Sequence, residues 1–111
     1  MSETFMKNDT KKPAVELIEG KFILGVGSVL GFGAEKYGRD NWKRATLEDV
    51  ERVKGALLRH TVALMDGEKI DPESGLSHTY HIGCNAMFLD YFSRHGIEAT
   101  TRDDGAANAM P

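Results

Sequence analysis

Between Gly67 and Asn85 the chain reads GEKIDPESGLSHTYHIGCN, an acidic loop running into a segment that carries His78, His81 and Asn85. On a helix these three lie at i, i+3 and i+7, so two imidazoles and an amide project from one face. Imidazoles exchange protons near neutral pH and bind metals. Arg59 and His60 add a cation and a third imidazole upstream, and the run GAEKYGRDNW, Gly33 to Trp42, contributes Glu35, Lys36, Tyr37 and Asn41. A small helical core folds without so much ionisable and hydrogen-bonding chemistry. The pattern predicts a site.

Three helical segments must position these groups, and the pattern predicts an all-α fold, a small helical bundle. The first spans about Gly20 to Tyr37, where Phe22, Val26, Val29, Gly33 and Lys36 recur at helical spacing. Its glycines weaken intrinsic helicity, so packing must compensate. The second starts at Thr46 as N-cap, with Glu48 and Asp49 facing the positive end of the helix dipole, and stops near Gly67. The third is expected to begin around Ser74 to Leu76 and to end at Gly96. No strand-period segment and no internal repeat is present. Residues 1–12 and 97–111 lack hydrophobic period and read as flexible arms around a helical domain at 13–96.

Helix phase decides which polar groups turn inward. His60 lies seven after Val53, three after Leu57 and four before Leu64, on the apolar seam of the second helix. His78, His81 and Asn85 continue into Phe88, Leu89 and Phe92 on the third. Burying such groups without partners costs about 1–3 kcal/mol each. They therefore face partners, a ligand or a wet cavity, and Glu35, Lys36 and Tyr37 stand ready to close it. A bland alternative exists for each. His60 alone could be a hydrogen-bonded core residue, and His78 with His81 a cluster bonding the Asp71 and Glu73 loop. Trp42 suits a core, a subunit interface or a face for stacking a base.

Composition narrows the function classes. The formal net charge of −3 argues against a non-specific binder of nucleic acid polymers, which needs a basic face. A nucleotide remains admissible, because a divalent cation can neutralise its phosphates. The single cysteine, Cys84, excludes an intramolecular disulfide and fits a reducing compartment. No secretory leader opens the chain, and the apolar run from Phe22 to Phe32 is short and interrupted by glycines, so a cytoplasmic protein with no membrane partner is expected. So short a chain gains from oligomerisation, and a homodimer or homotetramer is expected. The glycines of GVGSVLGFG do not spell a dinucleotide fingerprint.

Taken whole, the chain resembles a phage-borne family, the N-terminal domain of dATP/dGTP diphosphohydrolases, associated with the all-α nucleotide pyrophosphohydrolases of the MazG type. Lys12-Pro13, GAEKYGRDNW, Leu58-Arg59-His60 and nearly all of GEKIDPESGLSHTYHIGCN carry the resemblance. It implies metal-dependent hydrolysis of a purine deoxynucleoside triphosphate to monophosphate and pyrophosphate, in the host cytoplasm if the chain is phage-encoded. MazG-type enzymes hold Mg²⁺ with an E-x-x-E pair and a later E-x-x-D pair on facing helices. Glu48-x-x-Glu51 and Glu68-x-x-Asp71 match those letters, but Gly67 and Pro72 put the second pair in a loop. The expected assignment is therefore a divalent metal, Mg²⁺ or Mn²⁺, on Glu35, Glu68 and Asp71, with His60 or His78 as base. Lys36, Tyr37, Asn41, Trp42, Arg59, His81 and Asn85 would bind the nucleotide. Histidine ligands would favour Mn²⁺. Two other classes stay open: a non-catalytic protein that sequesters nucleotide, and a helical interaction protein whose polar stripe is a buried network.

Overall fold

A computed structural model describes residues 11–97, and among these the chain is all-helical. Helix α1 is Gly20–Tyr37, α2 is Leu47–Met65 and α3 is His78–Arg94, with short 3-10 turns at Val15–Leu17 and Asn41–Arg44. No strand forms among the described residues, although Ile70 and Ser77 make an isolated antiparallel bridge. The expected arms at 1–12 and 97–111 lie almost wholly outside the described residues. No described helix is long and apolar enough to cross a membrane.

Each helix end has a local cause. The Glu19 carboxylate accepts from the Phe22 N–H at 3.2 Å and caps α1. Gly38, at φ +91°, closes that helix in a conformation that costs a side-chain-bearing residue strain. Thr46 and Asp49 form a reciprocal capping box at the start of α2, with the Thr46 N–H donating to Asp49 at 3.0 Å. Ser77 caps α3 by accepting from the Thr79 N–H at 3.2 Å.

That last cap corrects the expected start of the third helix at Ser74 to Leu76. The segment before His78 folds back on itself, with the Asp71 N–H donating to Leu76 O at 2.8 Å and the His78 N–H to Lys69 O at 3.0 Å. Pro72 fixes one backbone angle of this turn, the Asp71 carboxylate holds the Ser74 N–H at 2.9 Å, and Gly75 takes φ +73°. These bonds occupy the backbone that a helix from Ser74 would have needed.

Helix α3 packs against both α2 and α1. At the α1 crossing, the Tyr80 ring lies over Gly25 and the Phe22 ring over Gly83, where a Cβ would sit 2.6 Å from Phe22 Cζ. The two rings meet edge to face with centroids 6.1 Å apart. Trp42, carried in by the 3-10 turn, stacks on Phe88 at 4.7 Å and meets Tyr91 edge-on at 4.8 Å. Val29, Val50, Cys84 and Phe92 are the buried apolar side chains among the described residues, and His78 and His81 are also buried. Two imidazoles thus form part of a very small core.

Candidate functional site

Helix α2 supplies His60, α3 supplies His78 and His81, and the turn between them supplies Glu68, Asp71 and Ser74. The Nδ1 atoms of His60 and His78 stand 2.8 Å apart. On its other side, His78 Nε2 meets Glu68 Oε1 at 2.8 Å. A carboxylate only accepts, so Nε2 of His78 donates to Glu68, and one proton bridges the two Nδ1 atoms. His81 stacks almost parallel on His60, 4.3 Å between centroids.

Ser74 ties His81 to Asp71. Its hydroxyl donates to Asp71 Oδ2 at 2.8 Å and lies 2.7 Å from His81 Nε2. With its single proton on the carboxylate, Ser74 must accept from His81, which fixes that ring as the Nε2–H tautomer. Asp71 Oδ2 is itself 3.5 Å from His81 Nε2.

The local electrostatics follow from burial. Burial, and then the neighbouring His81, push His60 below the usual imidazole range, while Asp71 pulls the other way. Burial likewise lowers His81 against the opposing pull of Asp71. Burial alone would raise Asp71, but its two hydrogen bonds from Ser74 and the nearby His81 outweigh that and hold the carboxyl low. Near neutral pH the cluster therefore holds a carboxylate beside His60 and His81 in their neutral form.

A pocket of about 650 Å³ opens next to this cluster. Its walls are the second half of α1, the loop from Gly38 to Trp42, and one face of α3 through His81, Cys84, Asn85 and Phe88. Small-molecule sites measure about 300–1,000 Å³ and are mostly apolar with a few placed polar groups. Here Val29, Phe32, Trp42 and Phe88 give the apolar wall, and Lys36, Arg39, Asn41 and Asn85 the polar points. Lys36 is tethered across to the Asp71 turn by Glu73, Nζ to Oε2 at 2.8 Å, and that bond raises its pKa. Cys84 is buried, and burial pushes its thiol up to about 11, so it behaves as an apolar wall residue.

Lys36, Tyr37, Asn41, Trp42, His81 and Asn85 all border one pocket. His60 and His78 do not line it, so the expected single cavity for His60, His78, His81 and Asn85 is divided in two. His81 is the shared member, in the pocket wall and stacked on His60. Arg59 is exposed and lies back along its own helix, its Nη1 near Gly55, away from the pocket wall. Glu35 is exposed and outside both pocket wall and cluster. Glu48 and Glu51 are exposed on the first turns of α2, where they pair with Arg52 and Lys54. Ser74 and Arg39 went unread in the sequence. Asp-Pro-Glu-Ser was the available signal for Ser74, because Asp and Ser close such turns with their side chains.

One atom each of His60, Asp71 and His78 lie within 4.8 Å of one another, a donor set able to hold a metal ion. Two imidazoles and a carboxylate suit a dication, so the residues present fit the metal that the resemblance implies.

Comparison with known proteins agrees with the resemblance read from the motifs. A family profile described as dATP/dGTP diphosphohydrolase, N-terminal, matches residues 2–102. A dATP/dGTP diphosphohydrolase of Salmonella phage PMBT28 is 36% identical over 86 residues, covering 78% of this chain. The chain spans 29% of that relative's length. No solved structure matches. On the extent of the profile match, the chain belongs to the dATP/dGTP diphosphohydrolase N-terminal family.

Proposed function

We propose that this chain binds a purine deoxynucleoside triphosphate, dGTP or dATP, and hydrolyses it to the monophosphate and pyrophosphate. The observation that carries this reading is the contiguity of the two halves of the site. A nucleotide-sized pocket with aromatic walls and a lysine abuts a half-buried acid–histidine cluster through His81.

The residues divide the work by chemistry. Trp42 and Tyr37 offer ring faces to a base, and Asn85 and Asn41 offer donors and acceptors to its edge or to the sugar. The carboxylate that pairs with Lys36 is exposed, so a phosphate oxygen can replace Glu73 on its ammonium. Water attacks the α-phosphorus, the bond to the bridging oxygen breaks, and pyrophosphate leaves. The proton released from water passes to the cluster; both ring nitrogens of His78 are engaged, by Glu68 and His60, so a cluster carboxylate or the second nitrogen of His60 takes it. A divalent cation, Mg²⁺ or Mn²⁺, when bound there, would neutralise charge on the phosphates and polarise the water. Asp71 is the carboxylate at the cluster that fits this cation, with Glu68 bonded to the adjoining His78. The likeness to MazG-type enzymes, a cytoplasmic setting and a homodimer or homotetramer belong to the same proposal.

The test is a nucleotide panel with the full chain, with Mg²⁺ and with Mn²⁺, followed by chromatography of products. Deoxynucleoside monophosphate and pyrophosphate should appear in equal amounts from dGTP or dATP. Release of no pyrophosphate with either metal overturns the hydrolase reading. Nucleotide-dependent stabilisation of that inactive chain would assign it the sequestering role instead.

A further inference from the structure

We propose that His60, His78 and Asp71 together bind one transition-metal dication, of the Mn²⁺ or Co²⁺ kind, in preference to Mg²⁺, with Glu68 as the positioning residue. The inference deepens the hydrolase reading by naming its metal centre, but its evidence is independent of any nucleotide.

The three donors come from three separate parts of the chain: α2, the Asp71 turn and α3. Their ligand atoms nonetheless converge within 4.8 Å. His78 is only 3% exposed, so its imidazole has been withdrawn from water. Its Nε2 is occupied by Glu68 at 2.8 Å, which leaves Nδ1 as the donor facing His60. A carboxylate gripping the far nitrogen of an imidazole is the usual way of fixing a metal-binding tautomer and raising its basicity. Asp71 is oriented in the same manner by two hydrogen bonds from Ser74.

A purely structural role explains these bonds less well. A buried and a half-buried imidazole sharing one proton contribute less to a small core than apolar side chains of similar volume would. A dication in place of that proton satisfies both rings and meets the charge of Asp71 and Glu68. Mg²⁺ prefers oxygen and retains its waters, whereas imidazole nitrogen suits Mn²⁺, Co²⁺ and Zn²⁺. Glu35 stands outside this set, and Glu68 acts through His78 rather than on the metal.

The experiment uses the full chain after chelator treatment, without nucleotide. Co²⁺ is titrated and followed by its visible absorption, and Mn²⁺ and Mg²⁺ are titrated by calorimetry. One equivalent of Co²⁺ or Mn²⁺ per chain is expected, at least tenfold tighter than Mg²⁺. His60→Gln and Asp71→Asn should each weaken Co²⁺ binding at least tenfold with an unchanged far-ultraviolet spectrum. Glu68→Gln should weaken it about 10- to 100-fold while keeping one equivalent, and Glu35→Gln should leave it unaltered. Should a variant fail to fold, the wild-type chain still decides: Mn²⁺ should broaden the ring signals of His60 and His78 before those of His95. Mg²⁺ binding as tight as Mn²⁺, unaltered binding in folded His60→Gln, or His95 broadening first would each overturn the assignment. Metal bound as described by a chain that hydrolyses no nucleotide leaves this centre standing and removes the hydrolase reading. Turnover with Mg²⁺ and no such centre does the reverse.

Discussion

Ser74 shows how one small side chain can hold a charged cluster in register. Its hydroxyl bridges Asp71 at 2.8 Å and His81 at 2.7 Å, and its oxygen also accepts from the Leu76 N–H at 3.2 Å. Ser74→Ala would leave the Nε2–H of buried His81 without its partner. The expected loss is about 1–3 kcal/mol, read from the midpoint of urea unfolding. A loss below about 0.5 kcal/mol would mean that Asp71, now 3.5 Å from that nitrogen, closes on it instead. The same residues set a pH dependence. His60 and His81 both have lowered values in the fold, so below their unfolded value of about 6.5 the unfolded chain binds more protons than the folded one. Around His60 stand His78, His81, Asp71 and Arg59, and of these only the Asp71 charge favours protonation. Stability of the metal-free chain should therefore be level above about pH 7 and fall as pH drops below about 6.5. The lowered Asp71 adds its own loss only in stronger acid, below its unfolded value near 3.9. Melting curves across this range check the sign, and no change between about pH 7 and 5 would show that the folded rings protonate freely.

At the scale of elements, the α1–α3 crossing depends on two glycines that work in opposite directions across it. Gly25 receives Tyr80 from α3, and Gly83 receives Phe22 from α1. A methyl group at either would displace the ring packed on it, so Gly25→Ala and Gly83→Ala should each destabilise by about 1–3 kcal/mol despite alanine's better helix propensity. Thermal melts of the two variants measure this, and stabilisation by either would mean that the rings pack elsewhere. The sequence made much of this scaffold legible. The bounds of α1 and the Thr46 cap of α2 follow from apolar spacing and capping chemistry, which are local. The start of α3 was misplaced because Asp71-Pro72 and Gly75 build a folded-back turn whose hydrogen bonds join Lys69 to His78 across nine residues. Helix phase correctly turned His60, His78 and His81 inward. It could not show that His81 alone would reach the pocket wall, nor that Glu35 and Arg59 would stay outside it. Those outcomes depend on how α1 and α2 lie against α3, and periodicity within one helix does not contain that angle.

For the whole molecule, the decisive feature is how little of its apolar surface is covered. Leu58, Val62 and Met65 recur at i, i+4 and i+7 on α2 and remain 62%, 54% and 79% exposed. Leu17, before α1, and Leu24, on it, are 80% and 74% exposed. Scattered exposed leucines are ordinary, but a helical stripe of them marks a contact face. Gly27 adds a second sign, since it is exposed in mid-helix with no described atom near the place of its Cβ. A glycine there weakens α1 by about 1 kcal/mol relative to alanine, and close approach by another helix is a physical reason to keep it. A symmetric homo-oligomer is therefore expected, with a mass that is a multiple of 12.2 kDa. Met65→Glu and Leu24→Glu place a charge on each face without touching the pocket or the acid–histidine cluster. Each should lower the mass measured by light scattering at micromolar concentration, by removing the contact its own face makes. If wild type already runs at 12.2 kDa, the exposed stripes cover no second copy and the expectation fails. If only Met65→Glu dissociates the assembly, α2 alone is the contact, and Gly27→Ala should then stabilise α1 by about 1 kcal/mol because nothing approaches it.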